Sequence, residues 1–249
     1  MFAWAGIGFL VIPLLAILPL SFSSGDLLAL PVPGWSTRWY RAFLTESRWV
    51  EATRNSLLVG AATALVATPL GTLAAIGLRR LPVAARRAAV ALILTPLIVP
   101  VVILALAVYF AFTRVGLAGS FAGLVLAHVI LALPFVVLTV LARLEGLDPL
   151  LLRASLSLGA RPITAWRRVL LPSLAPSVVA AALLAFATSF DELVLALFIA
   201  GPAQLTLPRQ MYGGLREFVS PTICAAAVMS TLLSVGLLGC AALLKRGRG

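Results

Sequence analysis

Between Leu152 and Pro172 the chain reads LRASLSLGARPITAWRRVLLP, a basic, partly amphipathic stretch lying between two long apolar runs. Arg153, Arg161, Arg167 and Arg168 make it too polar to enter lipid, while its leucines, Ile163 and Trp166 make it too apolar for a free loop. Local signals divide it into two short helical pieces. Asp148-Pro149 supplies a side-chain acceptor at the cap and a proline at the first helical position, where the missing donor is not needed. Leu147, Leu150, Leu151, Ala154, Ser155 and Leu158 recur at three- and four-residue steps and therefore share a face. Gly159 ends this helix, because glycine accepts the left-handed conformation that follows a helix. From Pro149 to Leu158 is only about 15 Å of helix, half a bilayer. Pro162 opens the second piece, and Pro172 is expected to stop it before the next apolar run. A short helix outside lipid with an apolar face needs a partner. Either a protein docks on it, or it lies on the inner leaflet with its arginines against anionic lipid.

The rest of the chain makes that segment an exception. Of 249 residues, 62% are hydrophobic and 11% charged, with a mean hydropathy of +1.12. Soluble domains carry about 25% charged residues, so this composition belongs to an integral membrane protein. The net charge of +11 does not indicate nucleic acid, since the basic residues punctuate apolar runs as topology signals do. Cys224 and Cys240 have neither a CxxC spacing nor His or acidic companions, which leaves them as small packing residues and gives no metal site.

A hydrocarbon core about 30 Å thick needs roughly 20 apolar residues of helix. Six runs meet that length: approximately 2–22, 55–78, 88–113, 119–142, 174–200 and 221–244. None alternates with the two-residue period of a barrel strand, so the fold class is all-α, a polytopic bundle of six transmembrane helices in one domain spanning 1–249. Pro96 and Pro100 predict a kink in the third run. With both termini inside, the inner segments hold twelve basic residues, among them Arg79, Arg80, Arg86 and Arg87, against seven outside. That asymmetry predicts cytoplasmic termini and makes the loop at about 143–173 cytoplasmic. Outside, Trp35, Trp39, Tyr40, Phe43 and Trp49 interleave with Arg38, Arg41 and Arg48, the pattern of a helix lying at the membrane surface.

The segment from Ala154-Ser155 through Gly159-Ala160 to Leu171-Pro172, placed before the penultimate apolar run, resembles the EAA loop of the membrane-spanning subunits of ABC importers. Pro19 to Ser24, the stretch Arg38 to Phe43, Asn55-Ser56-Leu57, and Ser189-Phe190-Asp191-Glu192 followed by Gly201-Pro202 and Thr206-Leu207-Pro208 are similar to permeases of the spermidine and putrescine type, in the C-subunit branch. The resemblance implies a type I importer permease in the bacterial cytoplasmic (inner) membrane, not itself an enzyme. It implies that Arg153, Ala154, Ser155, Leu158, Gly159, Ala160 and Trp166 form the ATPase-coupling surface. It implies as partners an ATPase dimer, a second homologous permease, an external solute-binding protein and a small, polyamine-like solute that is cationic or zwitterionic. ATP and Mg would sit on the ATPase, because this chain has no Gly-rich loop followed by Lys and Ser or Thr and so binds no cofactor of its own. One departure is Arg153, which stands where the family has Glu.

Within the fifth run, Asp191 and Glu192 are carboxylates at a depth where an uncompensated charge costs several kcal/mol, about 3 kcal/mol on insertion scales. Thr188, Asp191 and Leu195 are spaced to share a helical face. These acids either line the translocation path, with Thr188, or make helix-to-helix contacts such as an ion pair to Arg209 or Arg216. His128, the single histidine, is either a packing group bonded to a facing helix or a proton relay. Gly60, Gly71 and Gly77 are expected to let helices pack closely. A membrane-embedded enzyme would need a grouped nucleophile, base and orienter, and an autonomous carrier would show repeated halves; neither pattern is in the chain.

Overall fold

Apolar runs bounded by proline, glycine and arginine fold into helices throughout, and among the described residues the only β-type pairing is a single bridge between Ser23 and Trp35. The structure, a computed structural model, describes residues 12, 15, 17–217 and 220–246; at 149, 151–153, 217, 238 and 241–246 it describes the backbone alone. In chain order the helices are α1 (Arg38–Thr45), α2 (Ser47–Arg80), α3 (Val83–Ile98), α4 (Val101–Arg114), α5 (Phe121–Glu145), α6 (Pro149–Ser157) and α7 (Pro162–Ala165). A π-helical turn (Trp166–Leu170) then leads into α8 (Leu171–Phe190), followed by α9 (Val194–Ile199), α10 (Leu207–Glu217) and α11 (Pro221–Arg246). Most of the first apolar run lies outside the described residues.

Among the described residues, three helical bodies are long and apolar enough to cross a membrane: Ser47–Arg80, Phe121–Glu145 and Pro162–Phe190. The third run, expected to kink, is bent by 100° between α3 and α4. Its cause is local. Pro100 excludes the helical region for the residue before it, and Val99 is accordingly extended at φ −68°, ψ 133°. The second helix begins at Ser47 rather than near Asn55, so the end of the expected surface segment is the first two turns of a span.

The chain divides into two compact units. The first comprises Met1–Ser56 and Leu205–Gly236. In it Tyr40 OH and Ser21 Oγ are 2.7 Å apart, Trp39 Nε1 donates to Ser23 O at 2.7 Å, and Arg38 both pairs with Asp26 and lies over the Trp39 ring. Trp35 is 72% exposed, as a membrane-surface aromatic would be. Phe43 and Trp49 are not surface anchors: both are buried, with ring centroids 6.0 Å apart, because the turn at Glu46 folds α1 back beside the start of α2. Asn55 Nδ2 donates to Leu205 O, and Leu207 N donates to Ser56 Oγ at 2.8 Å, which fastens the α10 end of the unit to α2.

The second unit comprises Leu57–Gln204 and Leu237–Gly249, with α5 at its centre. Val136, Val137, Val140 and Leu144 of α5 pack with Ala67, Ala75 and Leu78 of α2 and with Leu174, Ala181 and Ala185 of α8. Small residues allow this close approach, which matters where lipid removes the hydrophobic drive and leaves van der Waals packing. A Cβ on Gly71 would fall 2.6 Å from Val136 Cγ1, and one on Gly60 would fall 3.0 Å from Phe186. Gly77 differs from the expectation, with nothing within 4 Å. A second cluster joins Ala105 and Val108 of α4 to Ala127 of α5 and to Leu195 and Ile199 of α9.

Candidate coupling segment and buried polar site

Asp148 accepts a hydrogen bond from Leu150 N at 2.8 Å, with Pro149 at the first position of α6, as the composition of this turn requires. At the other end Gly159 has φ +83°, Gly159 N donates to Leu156 O, and Ala160 N donates to Ser155 O. Those two bonds close a Schellman motif, so Gly159 holds a conformation that disfavours any side chain. Leu150, Ala154 and Leu158, one turn apart, are all exposed, Leu158 at 88%. Ser155 and Trp166 are half-buried, while Leu147, before the helix, packs onto the core of the second unit. The side chains of Leu151 and Arg153 lie outside the described residues, although the backbone at Arg153 is helical.

The segment is tied to the bundle at both ends. Arg86 forms an ion pair with Glu145 at the end of α5, and Arg143 Nε donates to Ser173 O at 3.3 Å, linking α5 to the start of α8. Pro172 does not interrupt the chain as expected. Helix continues from Pro162 to Phe190 as one body of 29 residues. At Trp166–Leu170 the helix widens to π geometry, and Pro172 sits in the first turn of α8, where its missing N–H costs little.

That body stops at Phe190. The expected common face of Thr188, Asp191 and Leu195 is interrupted, because α8 ends and a new helix, α9, starts at Val194. Glu192 is the physical reason: Oε1 accepts from Val194 N and Leu195 N, at 2.9 and 3.0 Å, and Oε2 accepts from Ala196 N at 3.2 Å. The carboxylate thereby satisfies amides that would otherwise be orphaned within the bilayer. Asp191, its neighbour, is exposed, and Thr188 is partly buried. The two acids therefore differ in setting: Glu192 is turned to the backbone of α9, and Asp191 faces outward.

His128 of α5 is fully enclosed beside this break. Its Nδ1 and Ser189 Oγ are hydrogen-bonded at 2.7 Å, Ser189 Oγ donates to Thr63 Oγ1 at 3.2 Å, and its Nε2 lies 3.6 Å from Glu192 Oε2. Three helices, α2, α5 and α8, are thus joined by one polar chain at the place where the fifth run is broken. Sequence reasoning left His128 as either a packing group or a proton relay and did not reach its partners, which lie 61 residues or more away in the chain. Among the described residues no group of three or more His, Cys, Asp or Glu could hold a metal ion.

Comparison with known proteins bears on the family and the fold. Residues 67–248 match the family model described as "Binding-protein-dependent transport system inner membrane component". The spermidine/putrescine transport system permease protein PotC of Escherichia coli (strain K12) is 30% identical over 240 residues, 96% of this chain and 90% of that protein. The molybdenum transport system permease protein ModB of Mycobacterium bovis is 35% identical over 250 residues, covering 94% of this chain and 87% of that protein. Among solved structures, a bacterial alginate ABC transporter in complex with an alginate pentasaccharide-bound periplasmic protein superposes with a TM-score of 0.74 over 99% of this chain and 92% of its own, at 15% identity.

Proposed function

Because this chain belongs to the family of binding-protein-dependent transport system inner membrane components, as a permease subunit of an ABC importer and not an enzyme, we propose that α6 and the turn at Gly159-Ala160 are the seat for an ATPase. The observation that carries this is the row Leu150, Ala154 and Leu158, exposed on a capped helix too short to span lipid. Arg153, Ser155 and Trp166 complete the coupling surface. ATP and Mg are held by the ATPase dimer, and this chain binds no cofactor. A second homologous permease completes the membrane pore, and an external solute-binding protein delivers cargo; the alginate transporter solved with a periplasmic protein supports that arrangement by likeness of fold. Both termini lie in the cytoplasm, which puts α6 on the side where ATP is available, in keeping with the excess of basic residues in the inner segments.

The cargo is a small cation or zwitterion of polyamine type, with Asp191 and Thr188 on its path. Similarity to PotC and an exposed carboxylate at a helix break support this reading. The chain is also 35% identical to a molybdenum permease, which supports a reading in which cargo choice rests on few residues and on the delivering protein. The experiment is copurification: tagged chain co-expressed with its ATPase and partner permease should retain the ATPase, and Leu158→Asp should release it while the permease pair stays intact. Retention of the ATPase at the parental level by Leu158→Asp rejects α6 as the seat.

A further inference from the structure

Where α2 gives way to α3, the second unit contains a groove of about 530 Å³ whose lining includes Leu81, Arg86, Arg87, Val90, Leu94 and Leu141. Apart from the Arg86–Glu145 pair, nothing in the coupling or translocation reading uses it. Its two ends differ in chemistry. Among the lining residues Arg86 and Arg87 are basic and none is acidic, the nearest carboxylate being Glu145, which reaches Arg86 from α5. Arg86 is held by Glu145, whereas Arg87 is exposed and forms no ion pair among the described residues. The first turn of α3 adds to the positive field, having neither an acidic residue nor a side-chain cap. Away from the mouth the wall is apolar. Val90 and Leu94 continue along α3 one and two turns beyond Arg86, so the apolar wall runs on for about 10 Å, with Leu141 of α5 opposite.

A charged mouth joined to an apolar slot excludes several ligands. A free phosphate would use the arginines and leave the slot empty, and a neutral lipid would fill the slot and leave Arg87 without a counter-charge. We propose that the groove binds an anionic phospholipid, its phosphate at Arg87, beside the Arg86–Glu145 pair, and one acyl chain along Val90 and Leu94 against Leu141. Basic pockets between membrane helices on the cytoplasmic side are suited to such headgroups. The Arg86 pairing keeps the mouth open by fixing one guanidinium to α5 while Arg87 remains available.

The test uses the assembled transporter, purified with its ATPase and partner permease, and reads bound lipid by native mass spectrometry. Phosphatidylglycerol and phosphatidylcholine of identical acyl chains are offered in turn. Phosphatidylglycerol should be retained at least about fivefold better, and Arg87→Gln should remove about that factor, the weight of one arginine near an anionic surface. Leu94→Trp, which fills the slot and keeps every charge, should lower retention of phosphatidylglycerol as well. Equal retention of the two lipids, or parental retention by both variants, overturns the proposal. So does a cysteine at Ala91 that cross-links to a partner subunit, since the groove is then a protein interface.

Discussion

Glu192 Oε2 lies 3.6 Å from His128 Nε2, beyond hydrogen-bond range, while both carboxylate oxygens are taken by amides of α9. Glu192 is therefore attached to the backbone first and to the histidine only by proximity. Glu192→Ala would strand three amides in a water-poor site and should destabilise the assembled transporter by about 1–3 kcal/mol. Glu192→Gln, which keeps an acceptor, should lose less. Thermal unfolding of the purified complex measures both, and equal Tm values for parent and Glu192→Ala would remove the capping role.

Gly159 carries φ +83° at the end of α6, a region where a β-branched residue is strained by about 1–3 kcal/mol. Gly159→Val should abolish transport-coupled ATP hydrolysis and leave membrane insertion unchanged, whereas Gly159→Asn, which tolerates this conformation, should keep most of it. ATPase rates in reconstituted vesicles decide; full coupling in the valine variant contradicts the assignment.

If the proposed coupling surface includes Arg153, a cation where the EAA-loop resemblance implies a glutamate, the surface it meets is expected to be acidic or neutral. Arg153→Glu should weaken ATPase retention on copurification, by roughly the tenfold that 1.4 kcal/mol represents. Tighter retention by the glutamate variant would mean that the reversal is not matched on the partner.

Asp191 is exposed where α8 ends, and the proposed path reading has its charge attract a cationic solute. Asp191→Asn keeps size and polarity, so uptake of a cationic solute should fall several-fold, on the order of one lost charge pair, while ATP hydrolysis changes less. Uptake at the parental rate, or an anionic native cargo, defeats this role.

Gly71 meets Val136 so closely that a Cβ would sit 2.6 Å from Cγ1. Gly71→Val should cost about 1–3 kcal/mol through overpacking, and Val136→Ala should restore part of it. Gly77→Ala, in open space, should be neutral or stabilising by up to about 1 kcal/mol. Melting temperatures of the three variants order these effects.

Much of this molecule is legible from residue order because its signals are local. The caps of α6 are written in Asp148-Pro149 and Gly159-Ala160, and the bend of the third run is written in Pro100. Three features are not local and were misread or missed. The break after Phe190 is concealed by Leu193, Val194 and Leu195, which keep the run apolar while Glu192 turns back to cap it. Phe43 and Trp49 carry an interfacial composition, yet the turn between α1 and α2 buries them. The Thr63–Ser189–His128 chain joins residues from three helices, and no periodicity within one helix could announce it.

The helical body from Pro162 to Phe190, widened to π geometry at Trp166–Leu170, is about 43 Å long at 1.5 Å per residue. Trp166 of the proposed ATPase seat lies toward one end, and Ser189, bonded to His128, lies at the other. Moved as a unit it would act as a lever: a tilt of about 5° at one end displaces the other by roughly 4 Å over that length. The helix is interrupted at residues 191–193, where that lever ends. The work of a distant nucleotide would thus be delivered at the joint that Glu192 fastens.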